Sequence, residues 1–146
     1  MMRFCMGGFA VAGALLFGGC GRSGVLKIVE LPVTGKVTLD GQPVAGATVT
    51  FQSNATLSTF MAVTGPDGVY HLQTADLRAG DCQGPCRVSI SRFLKPGGVA
   101  LGQEEVPFLV GAVESLPPRT ATLESTMLTA DVPAGGGTFD FSLAKL

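Results

Sequence analysis

The sequence predicts an all-β fold: about seven short strands packed as a two-layer β-sandwich behind an N-terminal apolar segment. Three observations predict it. Beyond residue 31, apolar and polar residues alternate with period two in stretch after stretch, the pattern of strands with one buried face. Turn chemistry separates these stretches, in a chain with 21 glycines and nine prolines among 146 residues. No 3.6-residue periodicity or helix-capping pattern follows residue 20.

The first run places Val33, Gly35, Val37 and Leu39 on one face and Thr34, Lys36 and Thr38 on the other. Asp40-Gly41-Gln42-Pro43 is turn chemistry, with Gly41 able to take positive φ, so a hairpin or a tight sheet corner follows. Ala47, Val49 and Phe51 then point inward against Thr48, Thr50 and Gln52. Phe60 to Thr64 reads as the next strand and Gly65-Pro66-Asp67-Gly68 as its turn, with Tyr70 and Leu72 an inward pair beyond it. Cys86, Val88 and Ile90 continue the inward series, leaving Arg87, Ser89 and Ser91 outward. After a long gap Leu128, Ala130 and Val132 alternate, Pro133-Ala134-Gly135-Gly136-Gly137 turns the chain, and Phe139, Phe141 and Leu143 complete the last strand.

The gap from Phe93 to Thr126 is the longest irregular stretch, and loops of that length are uncommon unless functional or disordered. It contains Pro96-Gly97-Gly98 and the apolar segment Val106-Pro107-Phe108-Leu109-Val110. Two readings follow. The segment is an extra edge strand that covers the sandwich, or Val106, Phe108 and Leu109 lead a surface for a protein partner.

Ahead of the strands, an apolar run of 14 residues, Phe4 to Phe17, follows Arg3 and breaks at Gly18-Gly19-Cys20. It is too short to span a bilayer, which takes about 20 residues, and small residues precede a cysteine where a secretory signal would be cut. The stretch resembles a lipobox, although Phe17 stands where that pattern has Leu. The resemblance implies lipidation of Cys20, with residues 1–19 a signal peptide and 20–31 a tether. An ordinary secretory signal and a buried helix are the alternatives. A ten-residue tether, Gly21 to Glu30, reaches at most about 35 Å, so the domain is expected beside an extracytoplasmic membrane surface. One lipid chain binds marginally and several bind stably.

From Cys20 onward 127 residues remain, the size of one domain over 32–146. Nine Lys and Arg stand against 11 Asp and Glu there, with the signs interspersed, so no basic footprint points to nucleic acid. Of four cysteines, Cys82 and Cys86 are left once Cys5 goes with the signal and Cys20 takes lipid. In an oxidising compartment a pair separated by Gln83-Gly84-Pro85 is expected to close a disulfide, worth about 2 kcal/mol by loop entropy. A redox pair, a metal-binding pair and two unpaired thiols remain open. Zinc usually takes four ligands, and the chain has no second cysteine pair and one histidine, His71.

Catalysis is not expected, because general acid and base work needs groups brought together, and the candidates are scattered. His71 faces solvent by parity between Tyr70 and Leu72, and Glu104-Glu105 is the densest acidic spot. No nucleophile elbow, metalloprotease helix, P-loop or dinucleotide fingerprint occurs. With no Trp and one Tyr, the chain also lacks the exposed rings on which sugars are held. No catalytic residue, metal or cofactor is assigned. A concave pocket gathering Glu104, Glu105, His71 or Arg119 would favour chemistry, whether ligand binding or hydrolysis, whereas an apolar patch near Phe108 would favour a protein partner.

Val33-Thr-Gly-Lys-Val-Thr-Leu-Asp-Gly-Gln-Pro-Val-Ala-Gly-Ala-Thr-Val-Thr-Phe51, followed by Ala62-Val-Thr-Gly-Pro-Asp-Gly-Val-Tyr-His-Leu72, resembles the carboxypeptidase regulatory-like domain, a transthyretin-like and immunoglobulin-like β-sandwich. Leu116-Pro-Pro-Arg, Ser125-Thr-Met-Leu-Thr-Ala-Asp-Val132 and Thr138-Phe-Asp-Phe-Ser-Leu143 are similar to the small lipoproteins that carry this domain in planctomycete-type bacteria. The resemblance implies a lipid-anchored envelope module with a structural or binding role. Where the family has an aromatic in its Gly-x-Tyr-x-Val strand opening, this chain has Cys86. That departure implies a Cys82–Cys86 disulfide in place of part of the aromatic packing.

Overall fold

The computed structural model describes residues 29–74, 82–102 and 104–145. The signal segment, Cys20 and most of the expected tether lie outside the described residues. In chain order the elements are β1 (Val29–Leu39), β2 (Gln42–Pro43), β3 (Thr48–Ser53), β4 (Thr59–Val63), β5 (Val69–Thr74), β6 (Gly84–Ser91), β7 (Phe93–Lys95), β8 (Val99–Ala100), β9 (Val113–Glu114), one helical turn α1 (Pro118–Ala121), β10 (Leu128–Val132), β11 (Gly137–Thr138) and β12 (Phe141–Leu143). The protein is an all-β sandwich, as the alternation predicts. The seven strands read from the sequence are β1, β3, β4, β5, β6, β10 and β12.

The main sheet runs β10-β6-β3-β4-β5-β1-β11, antiparallel except where β1 takes β11 and β12 as parallel partners. β1 curls this sheet around the core. Its first part pairs with β5 and β11, whereas Val37 to Leu39 pair with β12, and Thr38 and Leu39 also with β2. The hand-over falls at Val37, whose N–H donates to the Gly68 carbonyl (2.9 Å) and whose carbonyl accepts from Val44 N–H (3.0 Å). Asp40 and Gly41, with φ of 49° and 83°, form the two-residue turn that joins Leu39 to its partner Gln42. Two consecutive positive φ values match the right-handed twist of a hairpin.

The expected parity holds along β1 and β3: Val33, Val37, Val49 and Phe51 are buried and Lys36 is exposed. β1 starts at Val29, inside the stretch expected as tether, because Leu31 continues the buried odd series. Pro32 lies where the pairing of β1 with β5 shifts register, a position that tolerates a residue without an N–H. At the centre of the core, the Phe51 ring is 6.1 Å from Tyr70 and 6.2 Å from both Phe139 and Phe141, which ties β3 and β5 to the C-terminal segment. The Tyr70 hydroxyl donates to the Phe139 carbonyl at 2.6 Å.

Two expectations are corrected. Ser89 has outward parity but is buried, because the segment around α1 lies over that part of β6. The Thr120 and Thr126 hydroxyls reach back to the Ile90 and Val88 carbonyls at 3.3 and 2.6 Å. Val106 to Val110 is not an edge strand. Pro107 removes a donor there, and bonds from Leu109 N–H to the Val106 carbonyl (3.0 Å) and from Ala112 N–H to the Pro107 carbonyl (2.9 Å) close the segment into turns.

Candidate functional site

Beyond Ser91 the chain leaves the sandwich as an arm, residues 93–114, that folds on itself into a second sheet of order β8-β7-β9. A clamp pins its two ends together. Ser115 N–H donates to the Arg92 carbonyl (2.9 Å), Ser115 Oγ accepts from Arg92 Nε (2.8 Å), and Glu114 Oε1 accepts from the backbone N–H groups of Arg92 and Leu116 (2.9 Å each). Glu114 Oε2 is buried and has no partner among the described residues.

Between the arm and the outer face of the main sheet lies a cleft of about 660 Å³. Its floor comes from outward positions of β3, β4 and β5: Thr48, Met61, Val63, His71 and Gln73. Pairing of Thr48 with both Val63 and Ser91, and of Met61 with Gln73, sets these residues in cross-strand rows. Arg92, Phe93, Leu101, Gly102 and Glu105 form the opposite wall. Glu105 is held by Gly102 N–H at 2.6 Å and by Lys95 Nζ at 2.9 Å. These contacts, the backbone donor foremost, keep its carboxyl below the ordinary range, so near neutrality it is a fixed anion rather than a proton acceptor.

Of the polar residues considered from the sequence, the cleft gathers His71 and Glu105 but not Glu104, which is exposed beside it, or Arg119, which sits on α1. No group of three or more potential metal ligands occurs among the described residues. Val106, Phe108 and Leu109, the candidate partner-binding residues, all lie at the tip of the arm, 53%, 91% and 76% exposed. Sequence reasoning missed Met61, Val63 and Arg92. A signal was present for the first two: Phe60-Met61-Ala62-Val63 is four apolar residues in one strand, which marks a strand whose two faces both meet something. Arg92 gave none.

The disulfide expected between Cys82 and Cys86 is not formed in the structure, where both are free, buried thiols. The spacing allows the bond, but Cys86 Sγ is turned toward the Cys82 and Gly84 carbonyls, at 3.6 and 3.5 Å. Burial pushes the Cys82 thiol up to about 11, reinforced by Cys86, and burial raises Cys86 as well. In an unfolded chain a thiol titrates near 8.5. The contribution of these buried neutral thiols to stability is therefore complete below that value and is lost as pH rises toward 11. Urea midpoints should fall through that alkaline range. Iodoacetamide near neutral pH should leave both thiols of the folded chain unmodified and alkylate both once it is unfolded. Rapid labelling of the folded protein would contradict the burial, and silence after unfolding would reveal an oxidised pair.

The two ends of β6 set the root of the arm apart from the recess where β1 begins, although the arm lines one cleft with Gln73, the register partner of Glu30. At its first residues, Gly84 pairs with Val132 and Cys86 with Ser53, next to a shallow recess shared by Leu31, Pro32, Cys82 and Gly136, where β1 begins. Its last residue, Ser91, leads into the arm. Eight strand residues separate the ends, roughly 25 Å at the usual rise.

Fold and site together define an all-β sandwich with an accessory arm, an open amphipathic cleft and an apolar tip. No family model, curated protein or solved structure matches this chain.

Proposed function

We propose that this protein is a lipid-anchored, non-catalytic binding module of the cell envelope, a carboxypeptidase regulatory-like sandwich that offers its arm to a protein partner. The observation that carries the reading is the uncovered apolar tip of the arm, where Phe108 and Leu109 are 91% and 76% exposed. Lipid on Cys20 would hold the Val29 end near the membrane, within about 30 Å for an extended chain from Cys20. Phe108 and Leu109 on that arm are apolar and uncovered, the composition of a contact surface. A small-molecule site generally buries most of its ligand. This cleft instead leaves Met61 and Val63 on its floor more than half exposed, which suits a protein surface better.

The test is fractionation. Cys20→Ser should move the chain from the membrane fraction to the soluble fraction, and Phe108→Ser should leave it on the membrane. Retention of the Cys20→Ser chain would remove the anchor from the reading, and release by Phe108→Ser would assign the tip to the bilayer instead of a protein.

A further inference from the structure

We propose that the partner of the arm is a second copy of this chain, with the tip of each copy seated in the cleft of the other about a two-fold axis. This deepens the binding-module reading by naming its partner, while the pairing surfaces are independent of lipid on Cys20.

A projection and a recess of matching chemistry stand side by side on one molecule. The projection has a built shape, because its turn is closed by backbone hydrogen bonds, yet it leaves Phe108 91% exposed. It does not fill its own cleft, where Met61 and Val63 remain 56% and 65% exposed. Charge agrees with exchange between copies. Arg92 has no carboxylate within ion-pair distance among the described residues, while Glu104 is exposed four residues before Phe108. A tip entering the neighbouring cleft brings that anion toward that cation.

Area agrees as well. Taking roughly 150–200 Å² for a whole large apolar side chain, the exposed parts of Met61, Val63, Phe93, Val106, Phe108 and Leu109 present about 570–760 Å² of apolar surface, before any polar rim is counted. A stable interface needs about 800 Å² per partner. Made reciprocally about a two-fold axis, the contact closes at two; the same surfaces used head to tail would give open chains, and sedimentation of species larger than a dimer would overturn the two-fold arrangement. A formal net charge of −1 opposes it little. With the axis along the membrane normal, both β1 ends would face the same bilayer.

Two differently tagged full-length copies, co-expressed, test this with a photo-crosslinking benzoylphenylalanine replacing Phe108 in one of them. Illumination of isolated membranes should give an adduct carrying both tags, joined to the peptide that contains Met61 and Val63. Sedimentation of the Cys20→Ser chain should give a dimer whose unfolding midpoint rises with protein concentration, Phe108→Asp in that background a cooperatively unfolding monomer whose midpoint does not depend on concentration, and Phe108→Leu a dimer. Adducts only to foreign proteins, a monomeric parent chain, or a dimer indifferent to Phe108→Asp would each overturn the proposal. If the Cys20→Ser chain stays on membranes while the two-tag adduct forms, the anchor reading fails and the pairing stands.

Discussion

Gly35→Ala should destabilise the domain by about 4 kcal/mol, from forced backbone movement and loss of buried hydrogen bonds, and leave much of the protein unfolded. A Cβ at Gly35 would run into the Phe139 carbonyl oxygen, with the Phe139 carbonyl carbon at 2.6 Å and the Tyr70 hydroxyl at 2.7 Å. None of these neighbours can move alone. The Phe139 N–H donates to the Thr34 carbonyl at 2.8 Å, and its carbonyl accepts from the buried Tyr70 at 2.6 Å. Relief of the clash therefore separates β1 from the C-terminal segment and removes both bonds. Gly41→Ala is the control, since a Cβ there meets nothing within 4 Å and adds only left-handed backbone strain of about 1–2 kcal/mol. Urea unfolding of the two variants should separate them clearly; equal losses would mean that the close approach at Gly35 is not tight.

The parts of this fold that were legible in the sequence are those governed by neighbours along the chain. Val33 through Leu39 announce a strand by parity, and Asp40-Gly41 announces a turn because two residues must take positive φ. β7, β8 and β9 were not legible, since two or three residues carry no period. The clamp between Arg92 and Ser115 joins positions 23 residues apart through groups that any polar loop contains. Ser89 misled for a related reason: parity reports which face of β6 a residue takes but not that α1 covers the second face. The tip was legible as chemistry, through Val106, Phe108 and Leu109, but not as shape. Of the cleft, His71 and Glu105 were named from the sequence as polar candidates, whereas Met61 and Val63, whose outward positions are apolar beside the inward Phe60 and Ala62, carried a signal that went unread.

Phe51→Ala should cost about 3–5 kcal/mol, the usual range for deleting a buried aromatic ring, a large part of the 5–15 kcal/mol that stabilises a typical domain. Phe51 is fully buried and lies close to Tyr70, Phe139 and Phe141 together, rings contributed by β5 and the C-terminal segment. No single neighbour can fill the void, because Tyr70 is held by its bond to Phe139, and Phe139 in turn is tied to Thr34. Phe108→Ala makes the same chemical change at a side chain that is 91% exposed, so at concentrations low enough for both proteins to be monomeric its unfolding free energy should stay within about 0.5 kcal/mol of the parent. The contrast separates two uses of phenylalanine in one chain, one ring that the fold requires and one that it leaves uncovered. Thermal or urea unfolding of both variants decides the matter. A large loss from Phe108→Ala in the monomeric state would make the tip part of the core and end its role as a contact surface.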